Sequence, residues 1–281
     1  MRRAPPAAPP GPVPVAAPDV AAVPDDLAED AGNAAEAKPW RSVLGWHVLL
    51  ALDLASIAYL AIRNLIQGSV LAFRSGSEAA KGIERSLEDA TAGGFFLDGA
   101  PILVLFGLVP FLWVLGTRRG GWAGARQYLR LRHAGKGLGL GVAGGVGLWI
   151  AVLVLSLVYV VAVYGTDPEA YPSAGPVAEA LARVLTWPLA FFLAASAAVG
   201  EEVFFRGVLR RWAGVWGQAA VFGVLHAGYG TAIQVVLPFL IGVAFGYTVK
   251  WTRNLWIVIG AHFTFNFIQL GIRLLTEDLP A

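Results

Sequence analysis

Cysteine is absent from the 281-residue sequence, and charged residues make up only 14% of it. The lack of cysteine excludes disulfides, thiolate zinc sites, a cysteine nucleophile and lipidation on cysteine. Soluble domains carry about 25% charged residues, so the low charge argues against an ordinary water-soluble protein. A formal net charge of +2 is too small to indicate nucleic-acid binding. The sequence is instead 57% hydrophobic, with 10 Trp and 15 Phe, which is typical of a protein in contact with lipid.

The first 39 residues differ in composition from the rest of the chain. Nine of the 17 prolines fall between Pro5 and Pro39, among alanines and scattered acidic residues. No apolar stretch follows Arg2 and Arg3, so this segment is not a signal peptide. It cannot bury enough apolar surface to offset the entropy of ordering. We therefore predict a disordered Pro/Ala-rich tail over residues 1–39 and a membrane domain over residues 40–281.

Long apolar stretches recur through the membrane domain. A helix needs about 20 apolar residues to cross the hydrocarbon core, and helices are favoured there because they pair their own backbone groups. The sequence predicts an all-α transmembrane bundle of about seven spans, with six or eight as alternatives. The fifth span is short and interrupted by glycines, so it is the weakest. The predicted spans are 43–66, 95–117, 138–164, 180–200, 212–229, 231–249 and 255–275.

Arginine and lysine are concentrated in the loops that seven spans place on one side of the membrane. The 118–136 loop contains six basic residues and no acid, whereas the 165–179 loop contains three acids and no base. Basic loops favour the cytoplasmic side, so we predict that the N-terminal tail and the 118–136 loop are cytoplasmic. The 67–94 loop carries both signs of charge and could hold a short amphipathic helix at the opposite interface.

Glycines in two of the spans favour close packing of helices. The third span contains Gly139, Gly141, Gly144, Gly145 and Gly147, and the sixth contains Gly242 and Gly246.

Ionisable side chains are rare in the spans, and each is a candidate for function because burying a charge in lipid is costly. Glu201 and Glu202 directly follow the apolar stretch 189–199. Arg206 is four residues beyond Glu202, so these two can pair on one helix face. An alternative is that both glutamates only mark a helix end at the headgroups.

Three further polar residues lie in the last spans: His226 ends the fifth span, and His262 and Asn266 lie in the seventh. His226 follows Phe222 by four residues, and Asn266 follows His262 by four. His262 and Asn266 therefore project from one face of a helix and need partners on other helices or a wet pocket. A purely structural hydrogen bond between helices is the alternative. Three polar residues of the first span, His47, Asp53 and Arg63, have no evident link to these groups.

The predicted topology places Glu201 and the start of the seventh span toward the cytoplasmic leaflet, which would make a wet polar pocket open to the cytoplasm. Such a pocket could hold a water molecule activated by Glu201 and His226. His262 and Asn266 could then donate hydrogen bonds to an oxyanion that forms on a carbonyl group.

At these residues the sequence resembles the CPBP family, the CAAX proteases and bacteriocin-processing enzymes, also called CAAX prenyl protease 2-like or Abi proteins. The resemblance implies an intramembrane glutamic endopeptidase whose first Glu and second-motif His activate water, while the last His and Asn stabilise the tetrahedral intermediate. In this sequence those residues are Glu201, His226, His262 and Asn266, with Glu202, Arg206 and Phe222 in support. The motifs appear in order as Glu201-Glu202-x-x-x-Arg206, Phe222-x-x-x-His226 and His262-x-x-x-Asn266.

The resemblance favours a glutamate-activated water without a metal or cofactor, although the family was long described as metalloproteases. Zinc accepts histidine nitrogen and carboxylate oxygen, so a zinc ion held by Glu201, His226 and His262 is the alternative. Other intramembrane proteases fit less well. The sequence has no His-Glu-x-x-His motif and no Gly-x-Gly-Asp motif, and Ser196 lacks flanking glycines.

The predicted reaction is hydrolysis of a peptide bond in a membrane-associated protein or peptide, at the cytoplasmic membrane. Lipid and that substrate are the predicted partners, and nucleic acid is not. A non-enzymatic immunity or scaffold protein that binds a peptide or partner in the same pocket is the alternative, and a proton-coupled transporter is a third. Arg outnumbers Lys 17 to 4, which indicates a GC-rich bacterial coding sequence. Prenylated substrates are not expected in that setting.

Overall fold

The computed structural model describes residues 37–74, 77–166 and 176–276. Most of the predicted disordered tail (residues 1–39) lies outside the described residues, and so does most of the acidic loop at 165–179. Within the described ranges every regular element is a helix, as the all-α prediction requires.

The helices are named α1 to α11 in chain order. Two π-helical segments and one 3₁₀ turn interrupt them: Leu103–Leu108 lies between α3 and α4, Glu202–Leu209 between α8 and α9, and His226–Tyr229 after α9. The helices are α1 (Trp40–Phe73), α2 (Glu78–Glu88), α3 (Ala92–Ile102), α4 (Val109–Thr117), α5 (Trp122–Tyr128), α6 (Ala134–Tyr164), α7 (Pro176–Val184), α8 (Trp187–Glu201), α9 (Arg210–Leu225), α10 (Ile233–Thr252) and α11 (Leu255–Thr276).

Six helical stretches of the described chain are long and apolar enough to cross a membrane. The protein is therefore a multi-pass membrane protein. Five of the stretches agree with predicted spans to within a few residues, and the sixth contains two predicted spans in one run. The stretches are Trp40–Phe73, Ala92–Thr117, Ala134–Tyr164, Trp187–Tyr229, Ile233–Thr252 and Leu255–Thr276.

The run Trp187–Tyr229 folds back on itself at Gly214. This glycine has φ 68° and ψ −176°, which breaks the helix and is a conformation that glycine adopts without a steric penalty. Phe205 and Phe222 lie 17 residues apart in sequence, yet their ring centroids are 5.0 Å apart. A straight helix would separate them by about 25 Å. The two arms thus correspond in sequence to the predicted fourth and fifth spans, and both lie within one of the six helical stretches of the described chain.

The predicted boundary between those two spans is displaced. The sequence predicts a connection over 200–212, but the chain stays helical through Glu202–Leu209 and turns only at Gly214. The fourth span also begins later than residue 180, because α7 ends at Val184 and Thr186 caps a new helix by accepting a hydrogen bond from the Leu189 amide. Glu202 and Arg206 can remain in a helix inside the bundle because they pair with each other.

One end of the bundle gathers the beginnings of α1, α9 and α11, and we call it the arginine-rich end. There the Lys38 amide donates to the Thr117 carbonyl, and the Leu255 amide donates to the Arg130 carbonyl. The basic residues predicted on one side of the membrane all lie near this end, in the 118–136 loop, at the start of α9 and at the end of α10. They are Arg118, Arg119, Arg126, Arg130, Arg132, Lys136, Arg210, Arg211, Lys250 and Arg253.

The short amphipathic helix predicted in the 67–94 loop is α2. Ser77 caps it by accepting a hydrogen bond from the Ala80 amide, and Ala80 is its only buried residue. Lys81 and Glu78 pair at 3.0 Å on its exposed face. The opposite end of the bundle from the arginine-rich end therefore carries a helix with one apolar and one charged face.

Glycines of α6 bring it against α11, as the sequence predicts. A Cβ atom added at Gly141 would lie 2.4 Å from the Ile257 carbonyl oxygen, and one at Gly145 would lie 2.6 Å from that of Ala261. Gly141 and Gly145, which are four residues apart, make this contact. Gly144 has nothing within 4 Å and so faces away from α11. Gly242 of α10 packs in the same way on Ala219 of α9. The contact with α6 fixes the position of α11, which carries His262.

Candidate active site

The two adjacent glutamates lie where the backbone changes from α-helix to π-helix. Glu201 is the last residue of α8, and Glu202 begins the segment Glu202–Leu209. A π-helical turn inserts extra backbone into a helix and is frequent at functional sites. Every residue of this segment up to Val208 is buried. The local backbone therefore carries both carboxylates into the interior of the bundle.

Glu202 is at the centre of a buried polar network. Arg206 Nη1 donates to Glu202 Oε1 at 2.9 Å, and both side chains are fully buried. His262 Nδ1 donates to the same oxygen at 2.8 Å. The expected pairing of Glu202 with Arg206 is thus present, and the network extends across to α11.

Aromatic rings surround the Arg206 guanidinium. Its Cζ atom lies 4.5 Å from the centroid of the Phe222 ring and 5.3 Å from that of Phe245. A desolvated guanidinium over an aromatic face is stabilised by the ring quadrupole. Phe222 therefore contributes to the site by packing against a charge, and Phe245 is a further member that the sequence motifs do not include.

Glu201 faces His262 from the other side of the imidazole. Its Oε2 atom lies 3.9 Å from His262 Nε2. This distance is too long for a direct hydrogen bond and is one that a bridging water molecule can span. Glu201 Oε2 is buried and has no hydrogen-bond partner among the described residues.

The bond to Glu202 determines how the His262 ring is presented. A carboxylate oxygen only accepts, so Nδ1 carries the proton and Nε2 points toward Glu201. In neutral His262, Nε2 accepts a hydrogen bond; in the imidazolium, it donates one.

His226 is the first residue of the 3₁₀ turn that follows α9. Its Nδ1 donates to the Phe222 carbonyl at 2.8 Å, so Nε2 is the nitrogen left as an acceptor. Its ring contacts that of Phe222, with centroids 4.7 Å apart. Among the described residues it forms no hydrogen bond or ion pair with Glu201, the residue expected to be its partner; His262 is next to Glu201 instead.

Asn266 lies one helical turn beyond His262 on α11 and is partly buried. Its side chain forms no hydrogen bond with the described part of the chain, whereas the next amide along the helix, Gln269, accepts one from Trp149 Nε1 at 2.9 Å. The Asn266 amide hydrogens are thus not used in packing the bundle. They are available to a ligand.

The three polar residues of the first span are separate from one another and from the site. His47 stacks on Trp40 and accepts a hydrogen bond from Trp113 Nε1 at 3.3 Å. Asp53 is buried, and neither of its oxygens has a partner among the described residues. Arg63 is exposed and lines a cavity of about 410 Å³ between α1, α2 and α3.

The candidate residues do not form a metal site in this arrangement. Within the described residues, no group of three or more His, Asp or Glu side chains converges on a common point. A tetrahedral zinc site needs at least three protein ligands at about 2.0–2.2 Å. Glu201 and His262 supply two, His226 is not gathered with them, and His262 Nδ1 is bonded to Glu202. The side chains present do not fit zinc, and we derive no step through a metal.

The comparisons with known proteins bear on this segment of the chain. Residues 183–268 match a family model described as Type II CAAX prenyl endopeptidase Rce1-like. The chain resembles these proteases. The match begins in α7, ends in α11 and contains all the candidate residues, so it confirms the resemblance seen in the three motifs. The rest of the chain, including α1 to α6, lies outside it.

One relative among curated proteins is the uncharacterized protein YpbD of Bacillus subtilis (strain 168). The two are 32% identical over 82 residues, which is 29% of this chain and 43% of YpbD. The aligned region thus spans less than half of that relative. No solved structure matches the chain.

Proposed function

We propose that this protein is an intramembrane endopeptidase that uses Glu201 and His262 to direct a water molecule onto a peptide carbonyl. The family match supports a CAAX-type intramembrane protease in general. One observation carries the finer proposal. Buried Glu202 bonds both Arg206 and His262, and this leaves the Glu201 carboxylate and His262 Nε2 facing each other at 3.9 Å.

In the first step Glu201 acts as the general base. Its carboxylate accepts one proton of the water molecule while the water oxygen attacks the carbonyl carbon of the substrate. The electrons of the carbonyl π bond move to its oxygen, and a tetrahedral oxyanion forms. Glu201 suits this role because its Oε2 is buried but has no partner in the described chain.

Two side chains of α11 stabilise that oxyanion. His262, as an imidazolium, donates through Nε2, and Asn266 donates through its side-chain amide. Donors fixed before the reaction contribute most where charge develops, in a site that excludes water. Glu202 supports this role of His262 by holding Nδ1 and by stabilising the positive ring, and Arg206 keeps Glu202 in place.

In the second step the C–N bond breaks. The leaving nitrogen takes the proton held by Glu201, and the products are a carboxylic acid and an amine. His226 presents Nε2 as an acceptor from the turn after α9, so we assign it the orientation of the water molecule or of the leaving amine. The Phe222 ring contacts His226 edge to face and lies under the Arg206 guanidinium, so it links this histidine to the network.

The substrate is a membrane-associated protein or peptide. Basic loops favour the cytoplasmic face of a membrane, so the arginine-rich end is assigned to the cytoplasm together with the N-terminus of α1. The His262 end of α11 is close to this end, and we therefore propose that the site is reached from the cytoplasm. Membrane lipid surrounds the protein. No residue of the site requires that the substrate be prenylated.

Cleavage in proteoliposomes tests the proposal. Wild type, Glu201→Gln and Glu84→Gln are compared on a library of membrane-tethered peptides, with and without a chelator. Glu84 is exposed on α2, so it is a matched control for the same change. The proposal predicts cleavage by wild type and the control, unaffected by chelation, and none by Glu201→Gln. Folded wild-type protein that binds these peptides but cleaves none would favour the non-enzymatic immunity or scaffold protein.

A further inference from the structure

The end of α9 and the turn that follows it lie against the first membrane helix. Carbonyl groups at a helix end have no partner within the helix, and in a membrane bundle each needs one from elsewhere. Asn64 Nδ2 of α1 donates to the Leu225 carbonyl at 2.6 Å. Gln67 Nε2 donates to the Gly228 carbonyl at 3.2 Å. The two carbonyls flank His226 in the chain.

A glycine of α1 makes the contact between helix and turn close. A Cβ atom added at Gly68 would lie 1.8 Å from the carbonyl oxygen of Ala227, the residue after His226. Such an approach is possible only for glycine. Asn64, Gln67 and Gly68 are spaced i, i+3 and i+4, so they lie on one face of the helix. We call this face the α1 cradle.

We propose that the α1 cradle positions His226 for catalysis, so that a helix outside the family-matched segment 183–268 completes the active site. Asn64, Gln67 and Gly68 are positioning residues, since they hold the backbone on both sides of His226 and do not touch its ring. This inference rests on the role proposed for His226. It also accounts for two amide side chains in a membrane helix, where polar groups are costly unless they are bonded.

The cradle also determines what His226 can do. With the carbonyls of Leu225 and Gly228 bonded to α1, the backbone on both sides of His226 is held in place. His226 then keeps Nδ1 on the Phe222 carbonyl and presents Nε2. Displacing the turn by about 1 Å would misplace Nε2, and a displacement of that size can cost about 10²-fold in rate.

Two cradle variants, each with a matched control on the same helix, test the inference. Gly68→Ala adds the methyl group that meets the Ala227 carbonyl, whereas Gly45→Ala adds it where nothing lies within 4 Å. Asn64→Leu removes the bond to Leu225, whereas Ser69→Ala removes only an exposed hydroxyl bonded within its own helix. Both cradle variants should lower kcat by about 10²-fold and leave KM nearly unchanged, and neither control should change kcat.

Histidine NMR in lipid nanodiscs gives a readout that does not depend on cleavage. The chain has four histidines, and His226→Gln identifies the signal of His226. The inference predicts that Gly68→Ala and Asn64→Leu move the His226 ring resonances while those of His47, His133 and His262 stay in place. If Gly68→Ala does not fold, Asn64→Leu alone decides.

Two results would overturn the inference: an unmoved His226 signal in folded cradle variants, or an equal movement of all four histidine signals. A wild-type protein that cleaves nothing would remove the proposed function. The NMR comparison would still decide whether α1 holds the turn, so the two failures are distinguishable.

Discussion

Glu202 and His262 are 60 residues apart in sequence, and His262 Nδ1 donates to Glu202 Oε1 at 2.8 Å inside the bundle. This bond joins the π-helical segment after α8 to α11. It also fixes which nitrogen of His262 faces Glu201. A carboxylate that orients a histidine recurs in hydrolases as a way to set the tautomer and stabilise the charged ring. In the proposed mechanism the two adjacent glutamates have different roles, because Glu202 holds the histidine and Glu201 acts on water.

Replacement of Glu202 should affect stability more than replacement of any exposed acid. Glu202→Ala leaves the Arg206 charge buried and without its carboxylate, and breaking a buried pair in this way costs about 3–5 kcal/mol. The free energy of unfolding, measured in mixed micelles, should fall by that amount. Glu84→Ala, an exposed control, should change it by less than about 0.5 kcal/mol. An equal effect of the two changes would show that the network does not stabilise the fold.

Asn266 should act on the chemical step and not on substrate binding. Loss of one oxyanion donor typically costs about 10² to 10³ in kcat, so Asn266→Ala should lower kcat by that factor with little change in KM. Gln269→Ala on the same helix is the control, since that amide is exposed and bonds Trp149. Steady-state kinetics on a cleavable peptide measures kcat and KM for the two variants. A rise in KM with normal kcat would mean that Asn266 binds substrate in the ground state.

Substitution of glycine in α6 should destabilise the protein only on the helix face that contacts α11. Gly141→Leu places side-chain atoms where the Ile257 carbonyl and the Gly260 Cα atom lie, and overpacking of this kind costs about 1–3 kcal/mol. Gly144→Leu is the matched control three residues along, with nothing within 4 Å. The midpoint temperature of thermal unfolding and the rate of cleavage should both fall in Gly141→Leu, because α6 packs against α11, which carries His262. Equal tolerance of the two changes would contradict the observed contact.

Much of the fold could be predicted from apolar length and charge. Stretches of about 20 apolar residues define membrane helices directly, and the predicted spans at 231–249 and 255–275 agree closely with α10 and α11. The sequence predicts the turn between the fourth and fifth spans too early, because the charges of Glu201, Glu202 and Arg206 interrupt the apolar stretch. These residues remain helical inside the bundle, where Glu202 bonds both Arg206 and His262, and the second of these bonds depends on a residue distant in sequence.

The residues of the candidate site could be predicted from the sequence, but their arrangement in space could not. The spacing of Glu202 and Arg206 predicts their ion pair, since a contact between i and i+4 is local. The partner of His262 is not local, so sequence alone could only require that one exist. Asn64 and Gln67 were missed altogether. Their signal in the sequence is an amide inside the predicted first span (43–66) and another directly after it. Their partners are backbone carbonyls, which no side-chain pattern indicates.

Isotope labelling during a single turnover tests most directly whether Glu201 activates water. Wild-type protein in lipid nanodiscs, in excess over a membrane-tethered peptide, would cleave it in H₂¹⁸O, and mass spectrometry would follow both the product and the enzyme. Our account predicts one ¹⁸O atom in the new carboxyl group of the product, no label in Glu201, and no product with Glu201→Gln. Label in the Glu201 carboxylate would instead show that it attacks the substrate as a nucleophile. Cleavage retained in Glu201→Gln would contradict any role for it in the reaction.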